Sequence, residues 1–169
     1  LFYHKNFELE GFNMTVNPLF SASVILFNQQ AKTREEALQL IADEFLAKGV
    51  VTDAFAPALL KREATYPTGL ALSSGIGVAI PHTDADKVLE DQLGFLSLSE
   101  PVEFRQMGSE TDTVPVSIII PLALKTAHAQ LDMLQKLMAL FGDDDQMKQL
   151  AKIDDVDTLV QLFTAAGIK

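Results

Sequence analysis

Apolar residues along the chain fall into two rhythms, short β-branched runs and longer stretches at helical spacing. Ser23–Phe27 (SVILF) is β-branched and apolar after its serine and predicts a short buried strand. Thr33 followed three residues on by Glu36 is the capping-box signature of a helix start. Ala37, Leu38, Ile41, Phe45 and Leu46 then recur at helical spacing, with Gly49 as a stop. A second helix is expected from about Thr52 to Ala64, with Pro57 fixing or kinking its early part and Lys61-Arg62-Glu63 at its end. Tyr66–Ser74 is turn-rich and leads into Gly75-Ile76-Gly77-Val78-Ala79-Ile80-Pro81-His82, a short strand that Pro81 ends or pushes to an edge. Leu93–Leu98 and Val114–Leu122 read as further strands, the second apolar on both faces and therefore central. Pro101–Phe104, between them, reads as an extended piece or loop.

A strong helix is predicted from Thr126 to about Phe141, its buried stripe being Ala127, Leu131, Leu134, Met138 and Phe141, closed by Gly142. Two short helices fill Asp143–Ile168, the first opening on the acidic run Asp143–Asp145 and the second near Asp154 or Asp155. Strands interleaved with helices, without repeat or linker, indicate one α/β domain with a covered sheet.

Composition narrows the class. A chain of 169 residues with 48% hydrophobic residues suits one domain with a sizeable core. A formal net charge of −10 argues against nucleic acid or an anionic membrane as partner and favours a protein with a basic face. The absence of cysteine excludes disulfides, thiolate-bound zinc and thiolate catalysis. No apolar run approaches the roughly 18 residues of a membrane span; Val114–Leu124 is broken by Pro115, Ser117 and Pro121. A cytoplasmic location without direct membrane insertion is expected. Residues 1–13 lack the layout of a signal peptide and are read as a leader or a non-native appended segment, leaving 14–169 as the domain. His4 is set aside with them.

His82 is the most informative residue, placed after Ile80-Pro81 at the end of an apolar strand, where α/β folds tend to carry their sites. The ordinary role of a lone histidine there is structural. Two features point further. His128 falls near the second position of the Thr126 helix, where the helix N-terminus welcomes an anion and disfavours a charged imidazole. Arg62 supplies a planar fork suited to phosphoryl oxygens. Two histidines and an arginine, with no cysteine and no acid dyad, fit phosphoryl transfer better than hydrolysis. Gly75-x-Gly77 lacks the third glycine of a dinucleotide loop, and its simpler reading is a tight backbone approach. The His82-Thr83-Asp84-Ala85-Asp86 run has imidazole and carboxylate ligands, but its spacing is unspecific, so neither a metal nor a cofactor is expected. A metal-dependent hydrolase using His82, Asp84 and His128 is the weaker rival. Ser73 and Ser74 lack a nucleophile elbow.

Arg62-Glu63, Thr68-Gly69 and Gly77-Val78-Ala79-Ile80-Pro81-His82, followed by His128-Ala129-Gln130-Leu131, resemble the active-site segments of the fructose/mannitol-type enzyme IIA domains of the bacterial sugar phosphotransferase system. Tyr66–Leu70, Pro81–Asp84, Pro101–Phe104 and Met107-Gly108 are similar to its galactitol-specific branch, and Thr83 stands where many relatives carry glycine. The resemblance implies a mixed, largely parallel sheet flanked by helices on both faces. It implies a phosphocarrier that takes a phosphoryl group from phospho-HPr on His82 and passes it to a cysteine of a cognate enzyme IIB, and through it to the membrane enzyme IIC. His128 and Arg62 would assist. With no cysteine and no span, a free-standing IIA subunit is expected. A regulatory protein-binding module of the same fold, with phosphohistidine as a switch, is the alternative.

Overall fold

The computed structural model describes residues 16–169. The division expected at residue 14, and His4, lie outside them. Its centre is a five-stranded sheet of β1 (Ile25–Gln29), β2 (Gly69–Ala71), β3 (Gly77–Ala79), β5 (Phe95–Arg105) and β6 (Thr113–Ile119), in the order β1-β5-β6-β3-β2. β4 (Gln92–Leu93) and β7 (Leu122–Ala123) form a small antiparallel pair beside it. β1 with β5 and β3 with β6 run parallel, while β5 with β6 and β2 with β3 run antiparallel. The mixed sheet and its central strand β6 are as the sequence implied.

Successive side chains of a strand point to opposite faces, and here each face meets its own helices. Ala79, Leu96 and Ile119 face one way, onto α1 (Arg34–Ala47) and α2 (Phe55–Thr65), through Ile41, Phe45, Phe55 and Leu59. Val78, Ile80, Phe95, Ile118 and Ile120 face the other way, onto α3 (Ala127–Phe141), α4 (Asp144–Leu150) and α5 (Val156–Ala165). Only the second half of β6 is buried on both faces, at Ile118 and Ile119, and there the apolar run is unbroken. From Thr113 to Ser117 exposed or half-buried residues alternate with the buried Val114 and Val116, so the expectation of a strand apolar on both faces holds for its end alone.

The caps follow from the residues. Thr33 Oγ1 accepts from the Glu36 N–H, and the Glu36 carboxylate reaches back one residue beyond the usual box, to the N–H of Lys32. Gly49, with φ +72°, ends the turn after α1. Asp143 and Asp155 cap α4 and α5 by accepting from the N–H groups of Gln146 and Thr158.

Four expectations need correction. β1 is half-buried, because it lies at the sheet edge and pairs only with β5; the fully buried residue is Val24, just before it. Tyr66–Ser74 contains the edge strand β2, three residues long and too short for a hydrophobic pattern. The strand expected at Leu93–Leu98 and the piece expected at Pro101–Phe104 belong to one element: β5 runs from Phe95 through Phe104 to Arg105, and its register with β6 shifts between Ser97 and Val102. The buried stripe of α3 is Met133, Leu137, Leu140 and Phe141, whereas Leu131 and Met138 are 59% and 48% exposed. Both stripes have helical spacing, and only the position of the sheet selects between them.

Candidate functional site

β3 ends at Ala79, and the next residues are held by β6 and its continuation. The Ile120 N–H donates to the Ala79 carbonyl at 2.9 Å, and the Leu122 N–H donates to the Pro81 carbonyl at 3.0 Å. This fastens the backbone on either side of Ile80 and sets His82 at the strand end. Gly77 permits the approach, because a Cβ there would lie 1.9 Å from the Pro115 carbonyl oxygen. The tight approach expected of the glycine pair is therefore found at Gly77, whereas Gly75 serves the β2–β3 turn with φ +89°.

The His82 ring is half-buried, and its Nδ1 lies 2.8 Å from the Ile80 carbonyl oxygen. A carbonyl only accepts, so Nδ1 carries the proton and the neutral ring keeps its lone pair on Nε2. Burial lowers the His82 pKa, the Ile80 hydrogen bond opposes this, and the nearby Arg62 charge lowers it further. The site thus favours a neutral imidazole with a free lone pair on Nε2, the state in which histidine is a nucleophile.

Arg62 stands in the last turn of α2, its guanidinium 5.1 Å from the centre of the Tyr66 ring. The two side chains line a cavity of about 410 Å³ together with Lys61, Thr83, Asp84 and Lys87. Lys61, Arg62 and Lys87 stand against Asp84 and the Asp86 that pairs with Lys87, a small positive excess that suits an anion although the whole chain carries −10. Thr83, the residue after His82, is buried, and its carbonyl accepts from Gln130 Nε2 at 2.9 Å. That bond ties the first turn of α3 to the His82 loop.

His128 occupies the second position of α3, exposed, behind the Thr126 cap. Arg62 and His82 are brought within electrostatic reach of each other. His128 comes to the neighbourhood through the Gln130–Thr83 bond, and among the described residues its ring makes no hydrogen bond to His82 or Arg62. Asp86 pairs with Lys87 at 2.9 Å. Among the described residues no group of three His, Cys, Asp or Glu lies close enough together to hold a metal ion.

The residue reading passed over Lys61, Lys87 and Gln130, whose types are ordinary on a helix surface. Glu63 did leave a signal. It falls four residues after Leu59 and eight after Phe55, on the buried stripe of α2, where a carboxylate needs partners.

Residues 18–166 match the family described as phosphoenolpyruvate-dependent sugar phosphotransferase system, EIIA 2. Over 129 residues the chain is 37% identical to the PTS system galactitol-specific EIIA component of Escherichia coli (strain K12), an alignment covering 76% of this chain and 79% of that protein. A chain assigned as a PTS IIA (PtxA) from Streptococcus mutans shares the fold with a TM-score of 0.72, at 21% identity, over 94% of this chain and 93% of that one. The enzyme IIA of the mannitol system of Escherichia coli, solved in complex with phosphorylated enzyme IIB, superposes with a TM-score of 0.64 at 24% identity, over 85% of this chain and 96% of that one. Among the described residues no helix is long and apolar enough to cross a membrane. With the family match running from Pro18 to Ala166, through every strand and helix of the fold, the chain belongs to the EIIA 2 family of the phosphoenolpyruvate-dependent sugar phosphotransferase system.

Proposed function

We propose that this chain is a cytoplasmic phosphocarrier that accepts a phosphoryl group from phospho-HPr on Nε2 of His82 and passes it to a cysteine of a cognate enzyme IIB. Galactitol-type sugar uptake is the service that the 37% identity to the galactitol-specific component supports. The observation that carries the reading is the Nδ1 hydrogen bond of His82 to Ile80, which leaves Nε2 unprotonated at the end of β3.

In this reading the Nε2–P bond forms as the donor's P–N bond breaks, and the leaving electron pair returns to the donor ring. Transfer onward reverses the roles: a thiolate attacks phosphorus and Nε2 departs with its lone pair. This sequence contains no cysteine, so that thiol lies outside it. Phosphoryl transfer is loose, and the protein contributes mainly positioning and charge. Arg62 balances the equatorial oxygens, and His128, at the positive end of α3, donates to them. Residues 14–169 form the carrier domain.

The test is incubation with phosphoenolpyruvate, enzyme I and HPr, with the modified residue mapped by mass spectrometry. His82 should be labelled, His82→Ala should take no label, and His128→Ala should be labelled more slowly. Acid-labile label retained by His82→Ala would remove His82 from the role, and an undiminished rate in His128→Ala would reduce that histidine to a structural residue.

A further inference from the structure

Among the described residues Glu63 is the only buried charged residue, 2% exposed. It follows Arg62 in the chain, but its carboxylate is spent on Thr68. The Thr68 N–H donates to Oε1 at 2.9 Å, and the Thr68 hydroxyl lies 3.0 and 2.9 Å from the two carboxylate oxygens. The same hydroxyl accepts from the Ile80 N–H at 3.2 Å. A hydroxyl has one proton, and an N–H cannot accept it, so the proton goes to Glu63 and the chain of donors has a single direction. It runs from the Ile80 N–H to the Thr68 hydroxyl and ends on the carboxylate. On the other side of the same residue, the Ile80 carbonyl accepts a hydrogen bond from the Nδ1–H of His82.

Both polar groups of Ile80 are therefore committed, one toward Glu63 and the other toward the site. The neighbouring carbonyls of Ala79 and Pro81 are held by Ile120 and Leu122, so the Ile80 carbonyl is the one left facing His82. Burial raises the Glu63 pKa, and the Thr68 hydrogen bonds and the charges of Arg34 and Arg105 offset part of that rise; what the wiring needs of Glu63 is an acceptor oxygen at this reach. Arg105 also donates to the carbonyl of Ala64, the residue after Glu63.

We infer that Glu63 is a positioning residue for His82: through Thr68 it holds the Ile80 backbone so that the Ile80 carbonyl keeps the imidazole proton on Nδ1 and Nε2 free. The inference rests on the reading of His82 as the phosphoryl acceptor, because only there does the choice of nitrogen matter. Glu63 touches no reacting atom. Its effect is transmitted by three hydrogen bonds in series, and it competes with the ordinary preference of a free imidazole for the proton on Nε2.

The experiment is nitrogen NMR of the imidazole rings in the unphosphorylated protein, together with the rate of phosphoryl acceptance from phospho-HPr. Wild type should show His82 as the Nδ1–H tautomer. Thr68→Val, of nearly the same shape, should mix in the Nε2–H tautomer and slow acceptance by between about tenfold and a hundredfold, while Thr68→Ser restores both. A folded Thr68→Val with an unmixed Nδ1–H tautomer and the wild-type rate overturns the proposal. If Thr68→Val does not fold, two changes at Glu63 decide. Glu63→Gln keeps an oxygen acceptor at the same reach and should keep the tautomer. Glu63→Asp keeps the charge but is one methylene short and should lose it; the same tautomer in both overturns the proposal. Because the tautomer is read without phosphorylation, a wild-type protein that takes no phosphoryl group fails the carrier reading and leaves the Glu63 result to be judged by itself.

Discussion

His82 combines two environments that act in the same direction on its chemistry. Burial and the Arg62 charge hold its pKa below the ordinary value of 6.5, and the Ile80 carbonyl selects which nitrogen keeps the proton. A depressed histidine pKa means that the unfolded chain binds the proton more readily than the folded one. Its contribution to stability is then present above pH 6.5 and is lost as pH falls through the lower folded value. In the proposed reading of His82 as phosphoryl acceptor, acceptance should have its acid midpoint below pH 6.5. A pH–rate profile, paired with an NMR titration of the ring, checks this; a midpoint at or above 6.5 contradicts it. Residue identity made Arg62, His82 and His128 candidates before any fold was known, because few residue types suit phosphoryl chemistry. The burial that tunes His82 was not legible, since it comes from residues far away in the chain.

At the scale of elements, α3 is the one tied to the loop of the candidate site. Thr126 Oγ1 accepts from the Ala129 N–H at 3.0 Å, and Gln130 in the same turn reaches the Thr83 carbonyl. Thr126→Ala should lower stability by about 1 kcal/mol, measured by urea denaturation. An unchanged midpoint would show that the Gln130–Thr83 bond alone holds the helix start. The start and stop of this helix were readable, because caps are local: a threonine before and a glycine after. Its rotation was not. α3 carries apolar residues on more than one stripe, and Met133, Leu137 and Leu140 win over Leu131 and Met138 because the docked first turn and the sheet fix which side faces inward. β2 shows the complementary failure. Three residues have no periodicity to read, and the strand is held by partners distant in the chain or across a turn: β3 along its length, and the Met107 N–H, which donates to the Gly69 carbonyl at 2.8 Å.

The whole molecule places the site by threading β3 between β2 and β6, so that His82 leaves the sheet next to the end of α2 and the start of α3. Gly77 is where that threading is tightest. Gly77→Ala should cost about 1–3 kcal/mol, because its Cβ would meet the Pro115 carbonyl at 1.9 Å and the obstructing atom is backbone in the central strand. Gly75→Ala has open space around it and strains only a backbone at φ +89°, at a cost of about 1–2 kcal/mol, the smaller of the two. Equal denaturation midpoints for the two variants would show that the close approach does not constrain β3. The class of the fold, the caps, the central strand and the residue types of the site were all written in the sequence, because they rest on interactions between near neighbours in the chain. Strand order, the face that α3 buries, the tautomer of His82 and the burial of Glu63 were settled only by folding. Each of those depends on atoms brought together from distant segments, and no local pattern records which segments will meet.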